Sequence, residues 1–170
     1  MTRRLITIKW LFYSLWTLLF LLVQQLVLPY IRIWGVHPFL LPALAAVAAS
    51  FEGRWDGPIY GLVLGLICDL LFPGAFPCFY AITLLLSAVA AGLAARRAIM
   101  PGAVCSLVVS AAAMILTDLL NAAASSYAYG TPFGASLGLM ARELLLSLPA
   151  AMLVHLAFSH VHRRFAGRRA

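Results

Sequence analysis

The sequence predicts an all-α integral membrane protein, and three observations lead to that prediction. Of the 170 residues, 64% are hydrophobic and only 10% are charged, whereas soluble domains are nearer to half apolar and a quarter charged. The apolar residues fall in runs that are separated by short stretches containing Pro, Gly or Arg. Because a bilayer core of about 30 Å requires roughly 20 apolar residues per helix, the chain has room for about six crossings in a single transmembrane domain, residues 1–170.

Six apolar runs are assigned as spans in chain order. The first run follows a basic start, but it is too long for a signal-peptide core and lacks a small-residue cleavage site, so we interpret it as a span. The second run is alanine-rich, and the turn "FEGRWDGP" separates it from the third. The second and third runs are short for a full crossing. The predicted spans are approximately 9–28, 38–51, 59–72, 78–95, 103–124 and 136–158.

The distribution of Lys and Arg predicts that both termini are cytoplasmic. With six crossings, nearly all basic residues then lie on the cytoplasmic side, as the positive-inside rule requires. Arg32 falls in an outer loop, and Arg142 falls inside the sixth span. The basic ends predict contact with anionic lipids, and the lack of an aromatic-interleaved basic stripe argues against nucleic acid. The cytoplasmic set is Arg3, Arg4, Lys9, Arg54, Arg96, Arg97, Arg163, Arg164, Arg168 and Arg169.

This topology predicts a polar layer in the outer third of the membrane, because each of its members lies near the outer end of its span. A charge inside the bilayer is costly, so we expect Arg142 to pair with Asp69 or Asp118. The alternatives are that each side chain reaches the interface unpaired, or that the layer forms a path for protons or substrate. The layer consists of Asp69, Asp118, Asn121, Arg142 and Glu143.

A second pattern in the third span predicts close helix packing. Gly61, Gly65 and Asp69 are spaced at i, i+4 and i+8, so they share one helix face. Glycines at this spacing let another helix approach closely. The fourth span offers Ala88 and Gly92 as a matching small pair. The face is therefore expected to pack inside the bundle or against a partner helix.

We predict a protein that is not an enzyme and that holds no metal ion or cofactor. Two intramembrane aspartates suggest an aspartyl protease, but their contexts, "ICDLLF" and "LTDLLN", differ from those of signal peptidase II, and no Gly-x-Gly-Asp signature occurs. His155 lies in the sixth span, and we interpret it as a packing or interface residue. The three cysteines lack metal-ligand spacing and are interpreted as small apolar side chains.

The segment "FEGRWDGPIYGLVLGLICDLLFPGAFPCFYAITLLLSAVAAGL", residues 51–93, resembles the core of the MreD family of rod-shape-determining proteins. An acidic turn leads into a glycine-spaced helix, followed by Asp-Leu-Leu, a Gly-bearing loop and a small-residue helix. The chain departs from the pattern at Pro73 and Pro77, and Cys78 stands where a glycine is more usual. The matching positions are Gly57, Gly61, Gly65, Asp69, Leu70, Leu71, Gly74, Tyr80 and Gly92.

The resemblance implies a non-catalytic scaffold in the bacterial cytoplasmic (inner) membrane. Such a protein binds MreC by helix docking and supports rod shape and peptidoglycan synthesis, with MreB, RodA and a class B penicillin-binding protein as indirect partners. Together with the glycine spacing, the resemblance makes one set of residues candidates for helix packing or partner docking. These candidates are Gly61, Gly65, Asp69, Gly74 and Gly92.

The MreD fold is similar to that of the S components of ECF transporters, which leaves an alternative function. An S component would bind a vitamin in an outward-facing cavity, near the polar layer. It would also need an Ala-xxx-Ala face on its first helix, and the first span, "KWLFYSLWTLLFLLVQQLVL", contains neither alanine nor glycine. This composition argues against transport. The bulky Trp10, Phe12, Trp16 and Phe20 suit contact with lipid or with a partner helix.

Overall fold

Six α-helices account for most of the described residues in the computed structural model. The structure describes residues 3–30, 33, 35–52, 55–72, 74, 76–97, 102–130 and 133–166. A short 3-10 turn, Leu28–Tyr30, follows the first helix, and Ile33 and Val36 form an isolated β-bridge. The helices are α1 (Arg3–Leu26), α2 (Leu41–Phe51), α3 (Asp56–Leu71), α4 (Phe79–Arg97), α5 (Ala103–Tyr129) and α6 (Phe133–Ala166).

The predicted all-helical class is confirmed, and four of these helices are individually long and apolar enough to cross a membrane. The four candidate spans are Ile6–Tyr30, Phe79–Arg96, Ala103–Tyr127 and Leu137–Arg164. The other two helices are shorter, with 11 residues in α2 and 16 in α3. At 1.5 Å per residue they are about 16 and 24 Å long, less than the thickness of a bilayer core.

The helix boundaries differ from the predicted spans mainly at their ends. Helix α2 begins at Leu41 rather than near residue 38, so Pro38 lies outside the helix and Pro42 occupies its first turn. Proline fits the first turn, where its missing N–H has no helical partner in any case. Helices α5 and α6 run past the predicted spans, to Tyr129 and Ala166.

The short helix α2 lies at the centre of the bundle. Every residue from 41 to 49 is buried, and the helix packs against α3, α4, α5 and α6. Its sequence, LPALAAVAASF, is rich in alanine, and small side chains let several helices approach one another. An element this short is therefore enclosed by protein along most of its length.

Helix α1 lies at the edge of the bundle and is attached by polar side chains on one face. The Thr17 hydroxyl lies 2.5 Å from the Tyr60 hydroxyl of α3. Near the other end, the Gln24 side chain donates to the carbonyl of Pro38 and accepts from the N–H of Leu40, at 3.1 and 3.0 Å. The opposite face of α1 exposes a series of leucines.

Candidate functional site

The Asp69 carboxylate caps the start of α4. Its Oδ1 accepts the backbone N–H of Tyr80 and its Oδ2 accepts that of Ala81, both at 2.9 Å. These N–H groups belong to the first turn of α4, where no carbonyl of the same helix is available. The helix dipole also favours a negative charge at this end. Asp69 therefore links the end of α3 to the beginning of α4.

The loop between α3 and α4 holds this arrangement. Cys78 has φ 63° and is the single non-glycine residue with positive φ in the described part of the chain. Left-handed backbone is the conformation that glycine adopts without penalty, which explains why glycine would be the more usual residue there. A Cβ on Gly74 would lie 3.0 Å from the Phe79 Cβ, so this loop glycine is also tightly packed.

The glycine face of α3 is closed by α4. A Cβ on Gly65 would lie 2.5 Å from Ala81 Cα, and one on Gly61 would lie 2.6 Å from Ala88 Cβ. Both distances are shorter than any van der Waals contact, so the two helices touch backbone to backbone. A Cβ on Gly92 would meet the Ala49 carbonyl oxygen at an ordinary 3.6 Å. This glycine seam, formed by Gly61 and Gly65 on α3, is filled by α4. No second helix fits against either glycine.

Three members of the predicted polar layer line small cavities on the same side of the bundle. Asp118, Asn121 and Glu143 border a cavity of 100 Å³ together with Phe39, Phe79, Tyr80 and Thr117. The same three residues border a second cavity of 170 Å³, between α5 and α6. Asp69 is joined to this region through Tyr80, whose N–H it accepts.

Arg142 is exposed on α6 beside Glu143. Both oxygens of Asp69 are engaged by the backbone of α4, and the pairing of Arg142 with Asp69 or Asp118 stays a prediction. Among the described residues, no group of three or more His, Cys, Asp or Glu side chains could hold a metal ion.

A second buried polar cluster lies at the other end of the bundle, and sequence reasoning missed it. The Lys9 ammonium of α1 forms an ion pair with Oε2 of Glu52, the residue that follows α2, and both side chains are buried. The Nδ1 atom of His162 lies 3.9 Å from the other oxygen, Oε1. Burial alone would raise the pKa of the Glu52 carboxyl, but His162, Lys9 and the Tyr13 hydroxyl together hold this pKa below its usual value.

His155 lies about two helical turns before His162 in α6. Its Nδ1 is 2.7 Å from the Ser106 hydroxyl of α5, and its ring packs at 5.5 Å from that of Phe51. The side chain is buried and its hydrogen bond links α6 to α5. This is the environment of a satisfied core histidine.

An apolar groove lies between α1 and α3. Its volume is 490 Å³. The exposed polar group on its wall is Ser14, since the Thr17 and Tyr60 hydroxyls bond to each other. A flatter apolar depression of 530 Å³ lies between α5 and α6. The groove is lined by Trp10, Ser14, Thr17, Leu18, Leu21, Ile59, Tyr60, Val63, Leu64 and Ile67.

Comparison of the chain with protein-family profiles, with curated proteins and with solved structures gives no match.

Proposed function

We propose that this protein is a non-catalytic membrane scaffold of the bacterial cell-wall elongation machinery, and that it binds the membrane-spanning helix of an MreC-type partner. The observation that carries this proposal is the groove between α1 and α3. The family resemblance of residues 51–93 supplies the identity of the partner. MreB, RodA and a class B penicillin-binding protein are then indirect partners in the bacterial inner membrane.

The proposed topology has six crossings with both termini in the cytoplasm. The short helices α2 and α3 are compatible with six crossings because neighbouring helices cover much of their surface, and irregular or short segments are tolerated at membrane depth where protein encloses them. Arg163 and Arg164, in the last turn of α6, fit a cytoplasmic end and contact with anionic lipid head groups.

The groove, rather than the glycine seam, is the proposed docking face. The seam is filled by α4, whereas the walls of the groove carry exposed apolar side chains such as Leu18, Val63 and Ile67. Trp10 and Ile59 stand at the proposed cytoplasmic end, and Leu21 and Ile67 stand at the outer end. The lining spans about 16 Å along α1 at 1.5 Å per residue, which provides three turns of contact for an apolar helix.

The polar layer supports the alternative function, a vitamin-binding S component, but the cavities beside this layer are too small for such a ligand. Binding sites for ligands of that size occupy about 300–1,000 Å³. The two cavities next to Asp118 and Glu143 measure 100 and 170 Å³. The docking function therefore agrees better with the geometry.

Co-purification tests the proposed function. We would recover the tagged protein from its own membrane in mild detergent and identify the associated proteins by mass spectrometry. The groove variant Val63→Trp is compared with Val108→Trp on α5, because the two valines are equally exposed, at 50% and 53%. We expect an MreC-type protein with the wild type and with Val108→Trp, and at least a tenfold loss with Val63→Trp.

Two outcomes would reject the proposal. Recovery of an ATPase pair with a coupling subunit would assign the chain to the transporters instead. Equal recovery of the MreC-type partner with both tryptophan variants would show that docking occurs on another face.

A further inference from the structure

The polar cluster around Glu52 joins the ends of three helices. Lys9 and Tyr13 come from α1, Glu52 follows α2, and His162 comes from the last turns of α6. The Tyr13 side chain is fully buried. Glu52 Oε2 is occupied by Lys9, so Oε1 is the oxygen that faces His162.

Three atoms of this cluster are buried without a hydrogen-bond partner among the described residues. They are Tyr13 Oη, Glu52 Oε1 and His162 Nδ1. Buried polar atoms in folded proteins are nearly always hydrogen-bonded, and each exception requires an explanation. Oε1 and Nδ1 are 3.9 Å apart, so a shift of about 1 Å would bring them to the 2.7–2.9 Å of a charge-assisted hydrogen bond.

We propose that His162 and Glu52 form a proton-operated clamp, in which protonation of the His162 ring closes a second ion pair on Glu52 and fixes the end of α6 to α1 and α2. A proton taken from the surrounding water makes both ring nitrogens donors. The Nδ1–H then donates to Oε1, which accepts no other hydrogen bond in the described residues. His162 is 28% exposed, so solvent protons reach it.

The neighbouring groups position the ring and define the charge balance. Phe51 stacks on the His162 ring at 5.2 Å and 30°, which holds the imidazole beside the carboxylate. Among the described residues, the charged and titratable groups that face the cluster are Lys9 and Tyr13 from α1, Glu52 after α2, and His155 with its neighbour Arg163 on α6 itself. Two cations then share one carboxylate in the closed state, with one on each oxygen.

The direction in which pH changes the stability follows from the charge that the His162–Glu52 ion pair requires. An ion pair that requires the protonated ring is favoured in acid and is lost as the pH rises. The folded protein is therefore expected to be more stable at pH 5.5 than at pH 8. One such charged pair corresponds to a rise of about 2–4 °C in the unfolding midpoint of a chain of this length.

The test compares His162→Gln with His160→Gln in the full-length protein reconstituted in nanodiscs. His160 is an exposed histidine on the same helix, so its substitution controls for the loss of an imidazole. We expect the difference in midpoint between pH 5.5 and pH 8 to fall by about 2–4 °C in His162→Gln and to stay at the wild-type value in His160→Gln. An unchanged pH difference in His162→Gln, or none in the wild type, would overturn the proposal.

Hydrogen exchange on the wild type gives an independent readout that does not require a folded variant. After correction for the intrinsic pH dependence of exchange, residues 158–164 are expected to be better protected at pH 5.5 than at pH 8. Equal protection at both values would also overturn the clamp. Neither measurement involves a partner protein, so the outcome is independent of the proposed function.

Discussion

The two sides of α3 differ in the way that they meet their neighbours. On one side, Gly61 and Gly65 bring the backbone of α4 so close that a single added Cβ would clash. On the other side, Tyr60, Val63 and Ile67 line a groove of 490 Å³ between α3 and α1. The same helix therefore builds a closed interface and an open one.

The difference shows how residue size divides one helix between a closely packed face and an open face. Lipid tails are as apolar as leucine, so close van der Waals packing and hydrogen bonds, rather than apolar burial, hold membrane helices together. Glycine provides such packing on the α4 side, and Asp69 adds two hydrogen bonds at its end. On the α1 side, large side chains leave an open groove, and a partner helix in that groove would complete the packing of α3.

The largest expected effect is that of Gly65→Leu. Its Cβ would lie 2.5 Å from Ala81 Cα and 2.6 Å from the Tyr80 carbonyl oxygen, so α3 and α4 must separate. We expect a loss of stability of about 3 kcal/mol, measured as the unfolding midpoint in detergent. Gly138→Leu is the control, since nothing lies within 4 Å of a Cβ there. Equal midpoints for the two variants would contradict the closed interface.

For Gly61→Ala we expect a smaller loss of unfolding free energy, about 2 kcal/mol. The new methyl group would lie 2.6 Å from Ala88 Cβ and 2.8 Å from the Leu84 carbonyl oxygen, so Ala88→Gly removes the first of these two clashes and relieves part of the strain. We expect the double variant to be more stable than the two single variants predict, by about 1 kcal/mol. Strict additivity of the three unfolding free energies would show that these residues are not in contact.

Asp69→Leu is expected to cost about 1–2 kcal/mol, the usual range for the loss of a helix cap. It leaves the N–H groups of Tyr80 and Ala81 without their acceptors. Asp69→Asn keeps one acceptor oxygen, so it should retain part of this stability. The thermal unfolding midpoints of the two variants and the wild type rank their stabilities. An asparagine variant less stable than the leucine variant would argue against capping.

The smallest effect concerns the open side of α3. Tyr60→Phe removes the hydrogen bond to Thr17, but the Thr17 hydroxyl keeps its bond to the Tyr13 carbonyl at 2.7 Å. Side-chain hydrogen bonds between membrane helices average about 0.6 kcal/mol, and we expect a loss of that size in unfolding free energy. A loss as large as that of Asp69→Leu would mean that α1 is attached mainly through this bond.

Local sequence patterns predicted the elements of the closed interface. The i, i+4, i+8 spacing placed Gly61, Gly65 and Asp69 on one face, and the structure packs that face against Ala81 and Ala88 of α4. The capping role of Asp69 could not be predicted in the same way. It depends on the turn at Cys78, which brings the first N–H groups of α4 back to the end of α3.

The contacts of α1 also escaped prediction, because they join residues that are distant in the chain. Lys9 and Glu52 are 43 positions apart, and Lys9 was counted among the cytoplasmic positive charges. The buried residues Lys9, Tyr13 and Thr17 recur every fourth position, which is a helical pattern. A polar residue within this pattern indicates a buried contact only when the partner helix is known.

The central claim, that the groove between α1 and α3 holds the membrane-spanning helix of a partner, is tested most directly by photocrosslinking in intact membranes. A photoreactive residue replaces Val63 in the groove or, as the control, Val108 on α5. We predict a crosslink from position 63 to a single-span protein of the MreC type and none from position 108. A crosslink to that protein from position 108 alone, or adducts with lipid alone at both positions, would contradict the account.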